Sequence, residues 1–439
     1  MTSLILITVD SLRRDFLHCY GSPLKSSPNI DKLAQEGTVF ENAISAGPYT
    51  RVSFPPLLTE RCALSIPLSS SGGVDIRDIR PYLPEVLHQH GYETAAFHSY
   101  NPFISSLWGY NRGFDVFKDF IPYVNVTAKK RRTLAIDSLP FEGQLRMIKD
   151  GFNALRHRYG ENANYDFRSL ENAVSWIKQR RGEIFCWLHL MSTHMPYSYG
   201  PFNLGIKERL EAVLVNRKLI SSSRWRSDFR NKDIEKLKKL YVYSVQLIDY
   251  LIGKLLSTIE EEVGRENVVV IITADHGEEF REHRGMGHGC KLYDELIHVP
   301  LIIWGSNINK KKVSQVTSLS QIPALVLHYL GIYGKIFCRN PLTVHINGKK
   351  GVISEYRASA RGFGYSIRTD THKLILNIGD QGVSKELYNL EEDSNETRNV
   401  FCKYPNLTED LRDELKKHIS WETQQRRLSL AHKRVQEVK

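Results

Sequence analysis

The segment Asn267-Val268-Val269-Val270-Ile271-Ile272 constrains this chain more than any other, because it runs straight into Thr273-Ala274-Asp275-His276-Gly277-Glu278. An unbroken run of β-branched residues has no polar face to offer to water. It suits a strand covered on both sides, as in the parallel sheets of α/β proteins. A second run, Leu4-Ile5-Leu6-Ile7-Thr8-Val9, leads in the same way into Asp10. Open α/β sheets bind their ligands at the carboxyl ends of strands, so Asp10, Asp275 and His276 are expected at one rim.

The rest of the chain follows that rhythm. Pro28 to Gly37 has apolar residues three apart and a closing glycine, the pattern of a short helix. Val39 to Ala43 reads as a strand, Pro84 to Gly91 as a helix, Glu93 to Phe97 and Glu183 to Leu190 as strands, and Leu237 to Ile259 as a helix. This alternation predicts an α/β domain over residues 1–345, a mainly parallel central sheet flanked by helices. Within it, the basic and mostly helical stretch of about 121–181 reads as an insertion. Beyond Gly334 the segments become short and alternating: Val352 to Glu355, Gly364 to Arg368 and Lys373 to Leu376. They predict a smaller C-terminal subdomain, 346–439, with an antiparallel sheet and an amphipathic helix from Thr408 to Lys439.

A chain of 439 residues with 41% hydrophobic content is neither disordered nor fibrous. No stretch approaches the ~18 apolar residues that a membrane-spanning helix needs. Met1-Thr2-Ser3 precedes the first strand directly, so no secretory leader is expected, and the six cysteines are scattered without CxxC spacing. A cytoplasmic protein with reduced thiols is the expectation. The net charge of +11 is concentrated in runs such as Lys129 to Arg132, Lys310 to Lys312 and Gln424 to Arg427. Such runs are commonly a solvated surface. Otherwise they attract anionic partners: a small-molecule, glycan or lipid-headgroup ester, or an anionic membrane touched peripherally. No zinc-finger spacing or RNP-like motif accompanies them, so specific nucleic-acid binding is not expected. Nothing in the sequence selects an oligomeric state.

Asp10, Asp275 and His276 together form a donor set for one divalent cation, Mn²⁺, Mg²⁺ or Ca²⁺, with zinc disfavoured by the carboxylates. Each alone has a plainer reading, as a helix cap or a turn.

Further strings carry a family resemblance. Leu6 to Arg13, Cys19-Tyr20-Gly21, Ser27 to Ala34, Leu57-Leu58-Thr59-Glu60-Arg61, His194-Met195-Pro196-Tyr197 and Ala274 to Glu278 occur in that order. Glu282-His283, Gly287-His288-Gly289, Leu292 to Glu295, Val299 to Ile303 and Glu386 to Asp393 follow. The series resembles the sulfatase family of the alkaline phosphatase superfamily, collinearly from residue 4 to about 400. The resemblance implies an alkaline-phosphatase-like α/β fold and a metal-dependent hydrolase or transferase of sulfate or phosphate esters, with its nucleophile on the metal.

In the family that nucleophile is a Cys or Ser opening a Cys-x-Pro-Ser-Arg pattern and converted to formylglycine. Here Thr50 takes its place, Val52 that of the proline and Phe54 that of the arginine. Threonine cannot become formylglycine, because its β-carbon carries a methyl group and oxidation would give a ketone. A sulfated alkoxide is hard for water to release, whereas a phosphorylated threonine is opened by in-line attack at phosphorus. The expectation is therefore phosphate-ester chemistry, on a mono- or diester or by headgroup transfer, through a metal-bound Thr50, with helix amides after it assisting the anion. The alternatives are a sulfuric ester hydrolase working without formylglycine and a silent member that binds an anionic ligand. By position, His194 and His288 would bond nonbridging oxygens or protonate the leaving group, and Arg51 would clamp the anion. Ser11 stands for the second residue of the family's Asp-Asp pair, leaving a less negative cage.

Overall fold

The computed structural model describes residues 2–67, 73–121, 161–198, 205–221, 229–337, 341–358 and 362–438. Eight strands form the central sheet in the order Lys311–Val313, Thr38–Phe40, Leu301–Gly305, Val268–Ala274, Ser3–Val9, Ile184–Leu190, Glu93–His98 and Val116–Lys118. The strands Ser3–Val9, Ile184–Leu190 and Val268–Ala274 lie side by side and are buried throughout, as unbroken apolar runs require. All three run parallel, with Val9 opposite both Leu190 and Ala274. One step further along, Asp10 and Asp275 therefore leave the sheet together.

Leu301–Gly305 runs antiparallel to both of its neighbours, so the sheet is mainly rather than wholly parallel. At the edge, Lys311 and Lys312 are exposed, where lysines discourage a further strand from pairing. That explains one of the basic runs without a ligand. The run Lys129 to Arg132 lies outside the described residues, as do residues 122–160 of the expected insertion; Glu161–Lys178 is a helix.

Helices cover the sheet. The helix Asn231–Glu262 turns Leu237, Tyr241, Leu247, Leu251 and Leu255 into the core. Its Asp249 accepts the amides of Asn29 and Ile30, closing the start of the helix Pro28–Glu36. Gly37 ends that helix for a reason other than the expected one. Its φ of −111° is open to any residue, but a β-carbon there would stand 2.3 Å from the Ile303 carbonyl oxygen. Close packing against the antiparallel strand, not a left-handed turn, excludes side chains.

The strands Thr343–Ile346, Lys349–Arg357, Phe363–Arg368, His372–Gly379 and Gly382–Asn389 form a separate antiparallel meander. Its face buries Ile353, Ile367, Leu374 and Leu387 against Leu411 and Leu415 of the terminal helix Pro405–Val438. Ala46, Cys62 and Leu64, from either side of the helix Thr50–Thr59, join the same cluster and tie the two sheets together. Among the described residues, no helix is long and apolar enough to cross a membrane, and Cys19, Cys62, Cys186 and Cys402 form no disulfide.

Candidate functional site

Asp10, Asp275 and His276 meet at the carboxyl rim, all fully buried, with ligand atoms within 4.8 Å of one another. Thr50, 6% exposed, opens the helix Thr50–Thr59. Its hydroxyl lies 3.4 Å from Asp10 Oδ2 and 3.5 Å from His276 Nε2. The four residues singled out as metal ligands and nucleophile therefore converge. Thr50 arrives from a helix start, where the macrodipole favours an anion. The amides of Val52 and Ser53 are already bonded to the Tyr49 carbonyl, so the helix presents fewer donors to a ligand than its sequence suggests.

The arrangement fits a hard divalent cation on electrostatic grounds. His276 Nδ1 sits 2.9 Å from the Gly277 carbonyl oxygen and must carry the proton. Nε2 then turns a lone pair toward Asp10 Oδ1 at 3.6 Å and Asp275 Oδ2 at 3.4 Å. Asp275 Oδ2 is buried and accepts no hydrogen bond among the described residues. Two carboxylate oxygens and an imidazole lone pair pointing at one another repel unless a cation stands between them. Burial pushes the Asp275 carboxyl well above its ordinary range, with the Asp10 charge adding to the effect. Burial acts the same way on Asp10, but nearby histidines, His194 first, outweigh it and hold Asp10 low.

Gly277 permits the turn that presents this pair, since a β-carbon there would stand 2.1 Å from the Glu295 carbonyl oxygen. Ser11 has a left-handed φ of +59°. That conformation sends its amide to Asp275 Oδ1 at 3.3 Å and its hydroxyl to Asp10 Oδ1 at 2.9 Å.

Three residues that the sequence did not single out complete the surroundings. Asn101 donates to Asp10 Oδ2 at 3.0 Å and lies 3.2 Å from His189 Nε2. His189, inside its strand, is held by Thr8 Oγ1 at 2.9 Å, and Thr8 in turn accepts the Trp187 indole. Glu278, fully buried, lies 3.0 Å from His288 Nδ1, and burial above all pushes its carboxyl up to about 7. The only hint available for Asn101 was its place just past the end of the Glu93–His98 strand.

His194 and His288 face the cluster together. Their ring centroids are 4.9 Å apart, and His288 lies 4.4 Å from the His276 ring. The Met195 carbonyl oxygen fixes His194 Nδ1 at 2.6 Å. Gly287, at φ +81°, lets the His288 segment approach, for a β-carbon there would meet Met195 Cε at 2.4 Å. Arg51 stacks its guanidinium over Phe103 at 5.1 Å and Tyr49 at 5.6 Å, beside the site's wall. Phe54, in place of the family's arginine, is buried with its ring edge-on to His189 at 5.2 Å, and therefore belongs to the core.

The profile of the sulfatase family matches residues 2–332. The chain belongs to the sulfatase family. Over 95% of its length it is 22% identical to arylsulfatase K of Bos taurus, covering 82% of that protein. In fold it is similar to a 2-O GAG sulfatase, with a TM-score of 0.70, 17% identity and coverage of 96% of this chain and 92% of that one. It is similar also to a phosphonate monoester hydrolase of Agrobacterium radiobacter, with a TM-score of 0.68, 15% identity and 96% coverage of both chains. A sulfatase-family hydrolase with a candidate divalent-metal group at Asp10, Asp275 and His276 is thus established at that level.

Proposed function

We propose that this sulfatase-family protein hydrolyses or transfers a phosphate or phosphonate ester of an anionic small molecule, glycan or lipid headgroup, with Thr50 as nucleophile. The observation that carries the reading is a buried threonine hydroxyl at the start of a helix, 3.4 Å from Asp10 and 3.5 Å from His276. That position cannot mature to formylglycine. A fold shared with a phosphonate monoester hydrolase is in keeping with chemistry at phosphorus.

A divalent cation held by Asp10, Asp275 and His276 would lower the hydroxyl's pKa and neutralise charge on the ester. Asp10 receives the Thr50 O–H, and Asn101 fixes the carboxylate that does so. Thr50 Oγ1 forms a bond to phosphorus as the ester oxygen leaves, and His288 or His194 gives that oxygen its proton. Glu278 orients His288 through Nδ1. In the second half, water or an alcohol attacks phosphorus in line, its proton passes to the same histidine, and the Thr50 oxygen departs, taking back the proton that Asp10 accepted from it in the first half.

A second reading, sulfuric ester hydrolysis, is favoured by the names of the relatives, arylsulfatase K and a 2-O GAG sulfatase. A panel of aryl phosphate mono- and diesters, an aryl phosphonate monoester and an aryl sulfate, each with Mn²⁺, Mg²⁺ or Ca²⁺, separates the two. The expected result is faster turnover of the phosphorus esters and a fall of at least about 1,000-fold in Thr50→Ala. Preferential turnover of the sulfate would select the second reading, and unchanged turnover in Thr50→Ala would remove the nucleophile.

A further inference from the structure

A second cluster of metal-ligand type lies away from the catalytic rim, where the nucleophile's helix meets the C-terminal sheet. Cys62 follows the helix Thr50–Thr59 and its turn, Glu355 comes from the strand Lys349–Arg357, and His418 from the terminal helix. All three are buried. Cys62 Sγ stands 2.8 Å from each oxygen of Glu355, His418 Nε2 is 3.2 Å from Glu355 Oε2, and Sγ to Nε2 is 4.0 Å. Ligand atoms around a tetrahedral zinc, with bonds of about 2.0 to 2.3 Å, lie roughly 3 to 4 Å from one another. The triangle is therefore close to the size that one such ion draws together.

The cluster is poorly balanced without a cation. A thiol has a single proton, yet the sulfur faces two carboxylate oxygens at equal distance. Glu422, one turn beyond His418 on the same helix face, adds a further buried carboxylate. Its charge helps to raise the Cys62 thiol, and burial, with Glu355 nearby, raises its own carboxyl. Tyr365 donates to its Oε2 at 3.0 Å, but Oε1 accepts no hydrogen bond among the described residues and has only an ion pair with Arg426 at 3.4 Å. The Leu64 amide bonds Glu355 Oε1 at 2.9 Å, orienting the carboxylate and leaving Oε2 toward His418. A catalytic role for the thiol does not fit, because burial, with Glu355 beside it, raises its pKa well above the ordinary range.

We infer that Cys62, Glu355 and His418 form a structural zinc site that pins the far end of the nucleophile's helix to the C-terminal sheet and terminal helix. Its donor set of thiolate, imidazole and carboxylate selects a softer ion than the oxygen-rich group at Asp10. Thr50 then sits on a helix fixed at both ends, one by the catalytic cluster and the other by the zinc.

Cobalt(II) loading of the full chain tests this, because only a sulfur ligand gives a thiolate-to-cobalt charge-transfer band and the catalytic group contains no sulfur. The band is expected in the wild type, retained in Asp10→Asn and lost in Cys62→Ser. In His418→Gln, which keeps the thiol, the band should need at least about 100-fold more Co²⁺ to develop. A folded wild type that takes up Co²⁺ without the band overturns the proposal, whatever the fate of the variants. So does a band that survives in Cys62→Ser.

Discussion

Two buried charged clusters in this molecule are built on opposite plans. Around Asp294 the protein supplies its own cations. Lys373, fully buried, reaches Asp294 at 2.8 Å and Glu396 at 2.7 Å, and Arg368 reaches Asp294 at 3.2 Å. Burial alone would raise the Asp294 carboxyl, but Arg368, Lys373 and His298 hold it well below the usual range. Around Asp10 and Asp275 no lysine or arginine among the described residues plays that part. The surplus oxygens and the His276 lone pair point inward, and Asp275 Oδ2 is left without a hydrogen bond among the described residues. A buried cluster that closes its own charges maintains the fold, whereas one left open to a cation is poised for a ligand.

Breaking the closed cluster should have the larger effect on stability. Lys373→Met leaves Asp294 and Glu396 buried without their shared cation and is expected to cost about 3 to 5 kcal/mol in urea unfolding at neutral pH. Breaking the open cluster should have the opposite sign. Asp275→Asn is expected to weaken divalent-ion affinity at least about 100-fold, seen by calorimetry, while the metal-free protein gains about 1 kcal/mol as the Asp10–Asp275 repulsion is relieved. Loss of metal-free stability in Asp275→Asn would show that the carboxylate is a structural partner like Asp294.

Glu278→Gln keeps the shape of the His288 contact but removes its charge, so kcat is expected to fall roughly tenfold with KM little changed. The smallest effect comes from pH. Burial, with Asp294 nearby, pushes Glu396 up to about 7 from its ordinary 4.5. Between those values the folded chain keeps a proton that the unfolded chain has released, so this group's contribution to stability declines as pH rises through the window. Thermal unfolding between pH 5 and 8 should show a flatter profile for Glu396→Gln, by on the order of 1 kcal/mol.

The sheet was legible because its central strands are unbroken apolar runs, and the candidate metal group because Asp10 and Asp275 close two of them. Strand direction was not, since periodicity is the same read either way; Leu301–Gly305 looks like its parallel neighbours but runs against them. His189 was hidden for a related reason. It occupies one position of a strand whose remaining residues are apolar, and only the register Thr8 opposite His189 reveals that both face Asp10's side of the rim. Asn101 and Glu278 act through contacts across 91 and 10 residues, which spacing does not encode. Phe54 shows the converse: its identity departs from the family pattern, and the structure explains it as packing against Trp187 and His189.

The left-handed backbone at Ser11 acts as a filter on what evolution can place beside Asp10 and Asp275. β-Branched and bulky residues are rejected there, while glycine, asparagine and aspartate are admitted. The aspartate that the wider family carries at this position passes the filter. Ser11→Asp would enrich the cage in negative oxygen and move its preference toward larger, more highly coordinated ions such as Ca²⁺. Ion choice in this lineage can therefore drift at a single side chain while the strands beneath stay as they are.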